Sequence, residues 1–236
     1  MQPKRRLELQ PRLQAIADWV RSGAKIADIG TDHGYLPVWL LQAGVVEYAI
    51  ASDINESPLE HARRTSREYG QKMEFRLCNG LDGIFPQEAD TVVIAGMGGE
   101  NIASIIERAP WTREGHTLLL QPMSKPEYLR GFLAGHGYQV TRERLVRDKG
   151  VLYPILEAMG GSMEPPSPGR LYGGIALASD PLEGEYLSCL IGKLSRAAQG
   201  LRQAKDGSER AAELDGIVQE LQKMRKEWED ADCSAD

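Results

Sequence analysis

Asp28-Ile29-Gly30-Thr31-Asp32-His33-Gly34-Tyr35 decides the fold of this chain. The segment stands where the apolar run 25–29 stops and a helix begins, and it carries glycines at the turn. Strand, glycine-rich turn and helix start, in that order, make the junction at which nucleotide-type ligands meet a helix N-terminus. Glycine is used there because a missing Cβ lets the backbone approach a ligand closely. Such a loop also arises as an ordinary turn. Asp53 sharpens the reading, since an acid about 20 residues on, closing the second apolar run, is placed to hydrogen-bond ribose hydroxyls. Together the two features predict a pocket for an adenosine-containing cofactor.

Outward from this junction, short apolar runs at 48–52, 73–77, 91–95, 117–121, 138–145 and 151–157 alternate with helical patterns. Strands interleaved with helices predict an α/β fold, an open and mostly parallel Rossmann-like sheet. Only residues 146–150 separate the last two runs, too few for a crossover helix, so these pair as an antiparallel hairpin at one edge. Ahead of the first strand, Leu9, Leu13, Ile16, Ala17 and Val20 recur at helical spacing, with Gly23 as the stop. Residues 160–174, rich in glycine and holding Pro165, Pro166 and Pro168, read as a linker. Beyond it Leu187, Leu190, Ile191 and Leu194, then Leu214, Ile217, Leu221 and Met224, mark two amphipathic helices with a turn at Gly207 and Ser208. The expected organisation is a catalytic domain over 1–160, a linker over 161–180 and a coiled-coil-like helical hairpin over 181–236. On this organisation a chain ended near Met163 keeps its fold and its cofactor site.

A net charge of −6 excludes a protein that grips nucleic acid through its overall charge. An RNA site has to be a local patch. The basic groups available are Lys4, Arg5, Arg6 and Arg12, then Arg142, Arg144, Arg147 and Lys149, and in the tail Lys193, Arg196, Arg202 and Lys205. Each group also reads simply as a solvated face. The opening residues lack the apolar core of a signal peptide, and no stretch is apolar enough to span a membrane. Cys78, Cys189 and Cys233 are odd in number and far apart, which suits a reducing cytoplasm and predicts neither disulfide nor metal site.

Charge selects the cofactor. A dinucleotide places its pyrophosphate at the first turn, but that position holds Asp32, and a carboxylate a few Å from a pyrophosphate repels it. S-adenosylmethionine has no phosphate and carries a sulfonium cation, so it tolerates the acid. Asp28, Gly30, Thr31, His33 and Gly34 are then expected to hold it, with Asp53 and Ile54 at the ribose end. At the end of the third strand Asn79, with Gly80 and Leu81, reads either as a contact to the adenine or as a turn. The fourth strand breaks into Gly96-Met97-Gly98-Gly99 after Ala95, either a tight turn before a helix over 100–108 or a close backbone approach opposite the first loop. The Pro-Pro-aromatic tetrapeptide of the exocyclic-amine methyltransferases is absent here.

The reversed strand at the end of the sheet is a feature of class I methyltransferases. More specifically, residues 13–20, Ala27 to Pro37, Ile94 to Gly99 and Leu120-Gln121-Pro122 resemble the bacterial tRNA (adenine-22-N1)-methyltransferase family, TrmK, over about residues 7–160, and the tail resembles its coiled-coil domain. The resemblance implies S-adenosylmethionine as donor, tRNA as partner and adenine N1 as target, with Arg12, Gln121 and Pro122 on the substrate side. The family's usual Asn after Gln-Pro is Met123 in this chain, so any polar contact of that Asn is lost or moved. Adenine N1 has a free lone pair and needs no deprotonation, so catalysis rests on alignment and electrostatics. Asp32 is expected either to accept from the exocyclic amine of the base or to cap the following helix. Tyr35 is expected to stack or orient. The remaining alternatives are a methyltransferase for a small molecule or protein, and an RNA-binding or assembly protein with a vestigial cofactor fold; weak self-association through the tail is compatible with all three.

Overall fold

The structure, a computed structural model, describes residues 6–177, 180–204 and 207–232. Lys4, Arg5, Lys205 and Cys233 lie outside the described residues. One seven-stranded sheet runs β3-β2-β1-β4-β5-β7-β6. Its strands are β1 (Lys25–Ile29), β2 (Tyr48–Asp53), β3 (Glu74–Leu77), β4 (Thr91–Gly98), β5 (Thr117–Ser124), β6 (Tyr138–Asp148) and β7 (Val151–Gly160). β1 to β5 are parallel, and β7 pairs antiparallel with both β5 and β6. The expected hairpin is thus present, with the reversed strand in the penultimate place and β6 outermost.

Helices cover both faces, which is why the central strands are near-continuous apolar runs and not alternating ones. α1 (Pro11–Ala17), α2 (Tyr35–Gln42) and α3 (Glu56–Tyr69) belong to the first half; α4 (Gly99–Glu107) and α5 (Pro126–Gly135) follow β4 and β5. Ile26, Leu36, Leu40, Ala49 and Val93 form one core cluster, and Ile50, Val92, Ile94, Ile102 and Leu118 belong to the other. α1 is shorter than the expected helix: it stops at Ala17, and Trp19 and Val20 continue as turns bonded to the carbonyls of Ile16 and Ala17. Sheet order reverses direction between β1 and β4, so the loops leaving their carboxyl ends diverge and open a crevice there.

The stretch expected to be a linker is built into the fold. It contains α6 (Pro168–Gly173), and the chain after it lies along the open edge of β6. Glu143 N–H donates to the Ala176 carbonyl and Leu145 N–H to Asp180 Oδ2, so edge donors that would otherwise offer a template for pairing are satisfied. Beneath this strap Arg130 and Glu143 form an ion pair with both side chains fully buried. Arg130 Nη1 also donates to the carbonyls of Leu171 and Tyr172, and Ile175 N–H donates to Glu143 Oε1. α7 (Glu183–Arg202) and α8 (Ser208–Asp232) form the expected hairpin, packing Leu187, Leu194, Val218, Leu221 and Met224 together. Trp228 lies against Gly184 and donates to the Asp180 carbonyl, which anchors the hairpin's far end.

These contacts bear on the expectation that a chain ended near Met163 keeps its fold, because such a cut uncovers Arg130 and Glu143 and removes their backbone partners. Arg130→Ala, which strands a buried carboxylate, is expected to cost about 3–5 kcal/mol of stability, read by urea denaturation of the full chain. A loss under about 1 kcal/mol would show that the pair does not hold the strap.

Candidate active site

β1 ends in the glycine-bearing loop, and two hydrogen bonds fix how it leaves the sheet: the N–H groups of Gly30 and Thr31 both donate to the Ser52 carbonyl, at 2.8 and 3.0 Å. Gly30 has φ +74, and a Cβ there would lie 2.6 Å from the Met97 side chain. Gly34 has φ +66 and opens α2, with Ala62 and Met73 each 3.0 Å from where a Cβ would sit. The loop is glycine-rich because it is wedged between β4 and α3 in a left-handed conformation.

The loop forms one wall of a cleft of about 490 Å³ at the sheet's switch point. Asp28, Gly30, Thr31, Asp32, His33, Gly34 and Tyr35 line it from one side, Ala95 and Gly96 from another, and Gln10, Arg12, Leu13 and Met123 form its roof. Gly96, with φ +80 and open space where a Cβ would be, presents bare backbone to this volume. The glycine stretch after β4 is not a turn. It continues β4 as a bulged segment whose register against β5 shifts between Ala95, Met97 and Gly98.

Two carboxylates in the cleft have opposite environments. Asp28 is 8% exposed, and burial pushes its carboxyl from 3.8 up to about 6. Asp32 is on the rim with its side chain 79% exposed, 3.4 Å from His33 Nε2. It does not cap α2, which has no side-chain cap. His33 is stacked between Tyr35, at 5.1 Å and 11°, and His61, at 4.9 Å and 7°. Ligating atoms of Asp32, His33 and His61 fall within 4.8 Å of one another, but parallel rings suit stacking more than a shared ion, since a cation in one ring plane lies out of the other.

The roof is a hydrogen-bonded chain that residue spacing did not reveal. Arg12 Nε donates to Asp148 Oδ2 at 2.6 Å and Nη1 to Gln121 Oε1 at 2.9 Å, while its guanidinium lies over the Tyr153 ring. Gln121, fully buried, also accepts from Gly96 N–H and donates to the Pro122 carbonyl. Gln121, expected on the substrate side, holds Arg12 and the Gly96 backbone, and Pro122, expected there too, lines a second groove beside the cleft. Met123 has not left a gap where the family's Asn would stand: its Sδ accepts from Arg12 Nη1 at 3.2 Å.

Other expected contacts are not among the residues that line this cleft. Asn79, expected either to contact the adenine or to serve as a turn, accepts at Oδ1 from Arg108 Nη2 at 3.1 Å. Leu81 is 2% exposed in the core, and Gly80 packs under Ile105. Gly98 and Gly99 are small because Ser124 and the Lys125 carbonyl lie where their side chains would be, and Met97 packs into the core beneath Gly30. Asp53 and Ile54 stand at the end of β2 beside the cleft, Asp53 Oδ1 accepting from Asn55 N–H and Ile54 60% exposed. The basic patch is largely spent: Arg142 pairs with Glu157, Arg144 with Asp18 and Arg147 with Glu185, the first two also stacking over Trp19. Asp148, Tyr153, His61 and Arg108 were missed, and none has a local motif that would reveal it.

Residues 9–156 match the family described as a methyltransferase domain. The chain is 34% identical over 185 residues to the tRNA (adenine(22)-N(1))-methyltransferase of Bacillus subtilis strain 168, covering 77% of this chain and 76% of that protein. Among solved structures it resembles the B. subtilis m1A22 tRNA methyltransferase TrmK, with TM-score 0.77, 28% identity, and 92% and 98% of the two chains covered. It also resembles a Streptococcus pneumoniae protein solved in complex with S-adenosyl-L-methionine, with TM-score 0.75, 29% identity, and 90% and 97% covered.

Proposed function

The chain belongs to the bacterial tRNA (adenine-22-N1)-methyltransferase family, and from that membership we propose that its cleft transfers a methyl group from S-adenosylmethionine to N1 of an adenine, position 22, in tRNA. The observation that carries this reading is the pairing of a buried acid, Asp28, with bare glycine backbone at Gly30 and Gly96 in one cleft. The site fits the donor: it offers carboxylates and no basic pyrophosphate cradle, and Gly96 leaves room where a side chain would fill it. When bound, S-adenosylmethionine supplies an electrophilic methyl group on a sulfonium centre.

The residues divide the work by environment. Asp28, desolvated, pairs with the donor's ammonium group. Asp53 would accept from the donor's ribose hydroxyls, and exposed Ile54 would lie against its adenine. Asp32, held beside the His33 stack, accepts from the exocyclic amine of the target base and stabilises the positive charge that grows as N1 is alkylated. Tyr35 extends the ring column to the cleft mouth, where it stacks on the entering base. Arg12 lies on the substrate side, held rigid by Asp148 and Gln121. Because N1 is on the Watson–Crick edge, the base enters splayed from its stack. No helix among the described residues is long and apolar enough to cross a membrane. The proposed tRNA substrate supports a cytoplasmic location.

Incubation with unmodified tRNA and donor is expected to yield 1-methyladenosine by mass spectrometry of the liberated nucleosides; its absence refutes the reading. Asp32→Asn should lower turnover at least tenfold with little change in donor affinity, whereas Asp53→Ala should weaken donor binding by about 1–3 kcal/mol. Equal effects of Asp32→Asn on both quantities would make it a binding residue. For Asp28, a carboxyl raised to about 6 is neutral below that pH and cannot pair with ammonium. Donor affinity should therefore be highest near pH 7 and fall by up to about tenfold per unit below about pH 6, with Asp28→Asn weak and lacking that acid limb by calorimetry.

A further inference from the structure

The cofactor cleft does not close at its rim. Met123, 40% exposed, lines both this cleft and a second groove of about 470 Å³ that faces α7. Val151 and Tyr153 from β7 form one wall, Tyr172 from α6 one end, and Leu190 and Lys193 from α7 the opposite wall. Arg12 joins the two cavities, because it lines the cleft while its guanidinium sits 5.3 Å over the Tyr153 ring that lines the groove.

We propose that this groove receives the nucleotide adjacent to the target adenine in a single-stranded stretch of the RNA, an inference that rests on the tRNA reading above. A base splayed into the cleft drags its backbone with it, so its neighbour must lie against the partition of Arg12, Met123 and Tyr153. The volume is that of a pocket for a small organic ligand. Its walls combine aromatic and apolar side chains with cations, the pairing that single-stranded nucleic acid requires. Charge points the same way. Lys193, and Lys149 at the β6–β7 turn beside the groove residue Gly150, make no ion pair among the described residues, although the nearby Arg147 and Lys125 are neutralised by Glu185 and Glu100. The lining itself balances Lys125 and Lys193 against Glu127 and Glu185, so the basic surplus comes from Lys149 on its border. In a chain of net charge −6, free cations on the border of a cavity next to the reaction centre mark a phosphate path. α7 thereby becomes a wall of the substrate site, and the strap that docks it on the core sets the width of the groove.

Cys189, exposed on α7 and lining the groove, allows a test that does not disturb folding. In the full chain carrying Cys78→Ser and Cys233→Ser, alkylation of Cys189 with fluorescein maleimide fills the groove after the protein has folded. The labelled protein should bind S-adenosylmethionine as before, while its KM for an unmodified tRNA transcript rises about tenfold. Independently, Lys193→Ala should lower the slope of log Kd for tRNA against log salt by about one. An unchanged KM after labelling, or an unchanged salt slope, overturns the proposal. So does labelling that alters only the sedimentation mass, which would make the groove a protein interface. A failure of the unlabelled chain to form 1-methyladenosine is a separate result: it removes the functional reading, and this inference with it, before any groove variant is made.

Discussion

The carboxamide of Gln121 is fully buried at the carboxyl end of β5, where each of its polar atoms must find a partner or pay the desolvation cost of about 1–3 kcal/mol. Its oxygen accepts from Gly96 N–H and Arg12 Nη1, and its nitrogen donates to the Pro122 carbonyl. One side chain therefore fixes the bulged end of β4, the strand that follows it and the helix that opens the chain. Arg12 passes the constraint on to Asp148 at the end of β6. Without this node the roof of the cleft would be three unconnected pieces, and Gly96 would not present its backbone at a fixed place.

A second constraint acts at the far edge of the sheet. β6 is outermost, and Ala176 and Asp180 of the strap satisfy its Glu143 and Leu145 donors. The strap stays because Arg130 and Glu143, fully buried, need its carbonyl and amide groups as partners. Edge protection, a buried charge pair and the position of α7 are thus one structural solution. It brings the helical hairpin to the side of the cleft, where α7 lines the second groove.

Within the cleft, burial assigns roles to chemically identical groups. Asp28 is desolvated and raised to about 6, which favours a permanent cation as its partner, whereas Asp32 stays solvated on the rim beside a ring stack. The first suits ground-state binding of the donor. The second stands at the mouth where the base enters and suits a charge that appears only as the base is alkylated. The two cavities meeting at Met123 extend this division from the methyl group to the strand that carries the base.

The α/β class, the parallel β1–β5 order of elements, the reversed hairpin and the helical tail were legible in the sequence, because hydrophobic periodicity and turn residues are local properties. The same is true of Gly30 and Gly34, whose left-handed backbone follows from their place between the end of β1 and the start of α2. Spacing did not disclose that Asn79 is held by Arg108, that Gln121 points inward, that Gly98 and Gly99 serve packing, or that the proline-rich stretch encloses a buried ion pair. Arg12 and Asp148 are 136 residues apart and meet only because α1 packs across the strands β6 and β7. Sequence determined which segments become strand, turn and helix; tertiary structure decided which polar atoms remain free for a ligand, because hydrogen-bond partners are chosen by proximity in the folded state and carry no periodic signature along the chain.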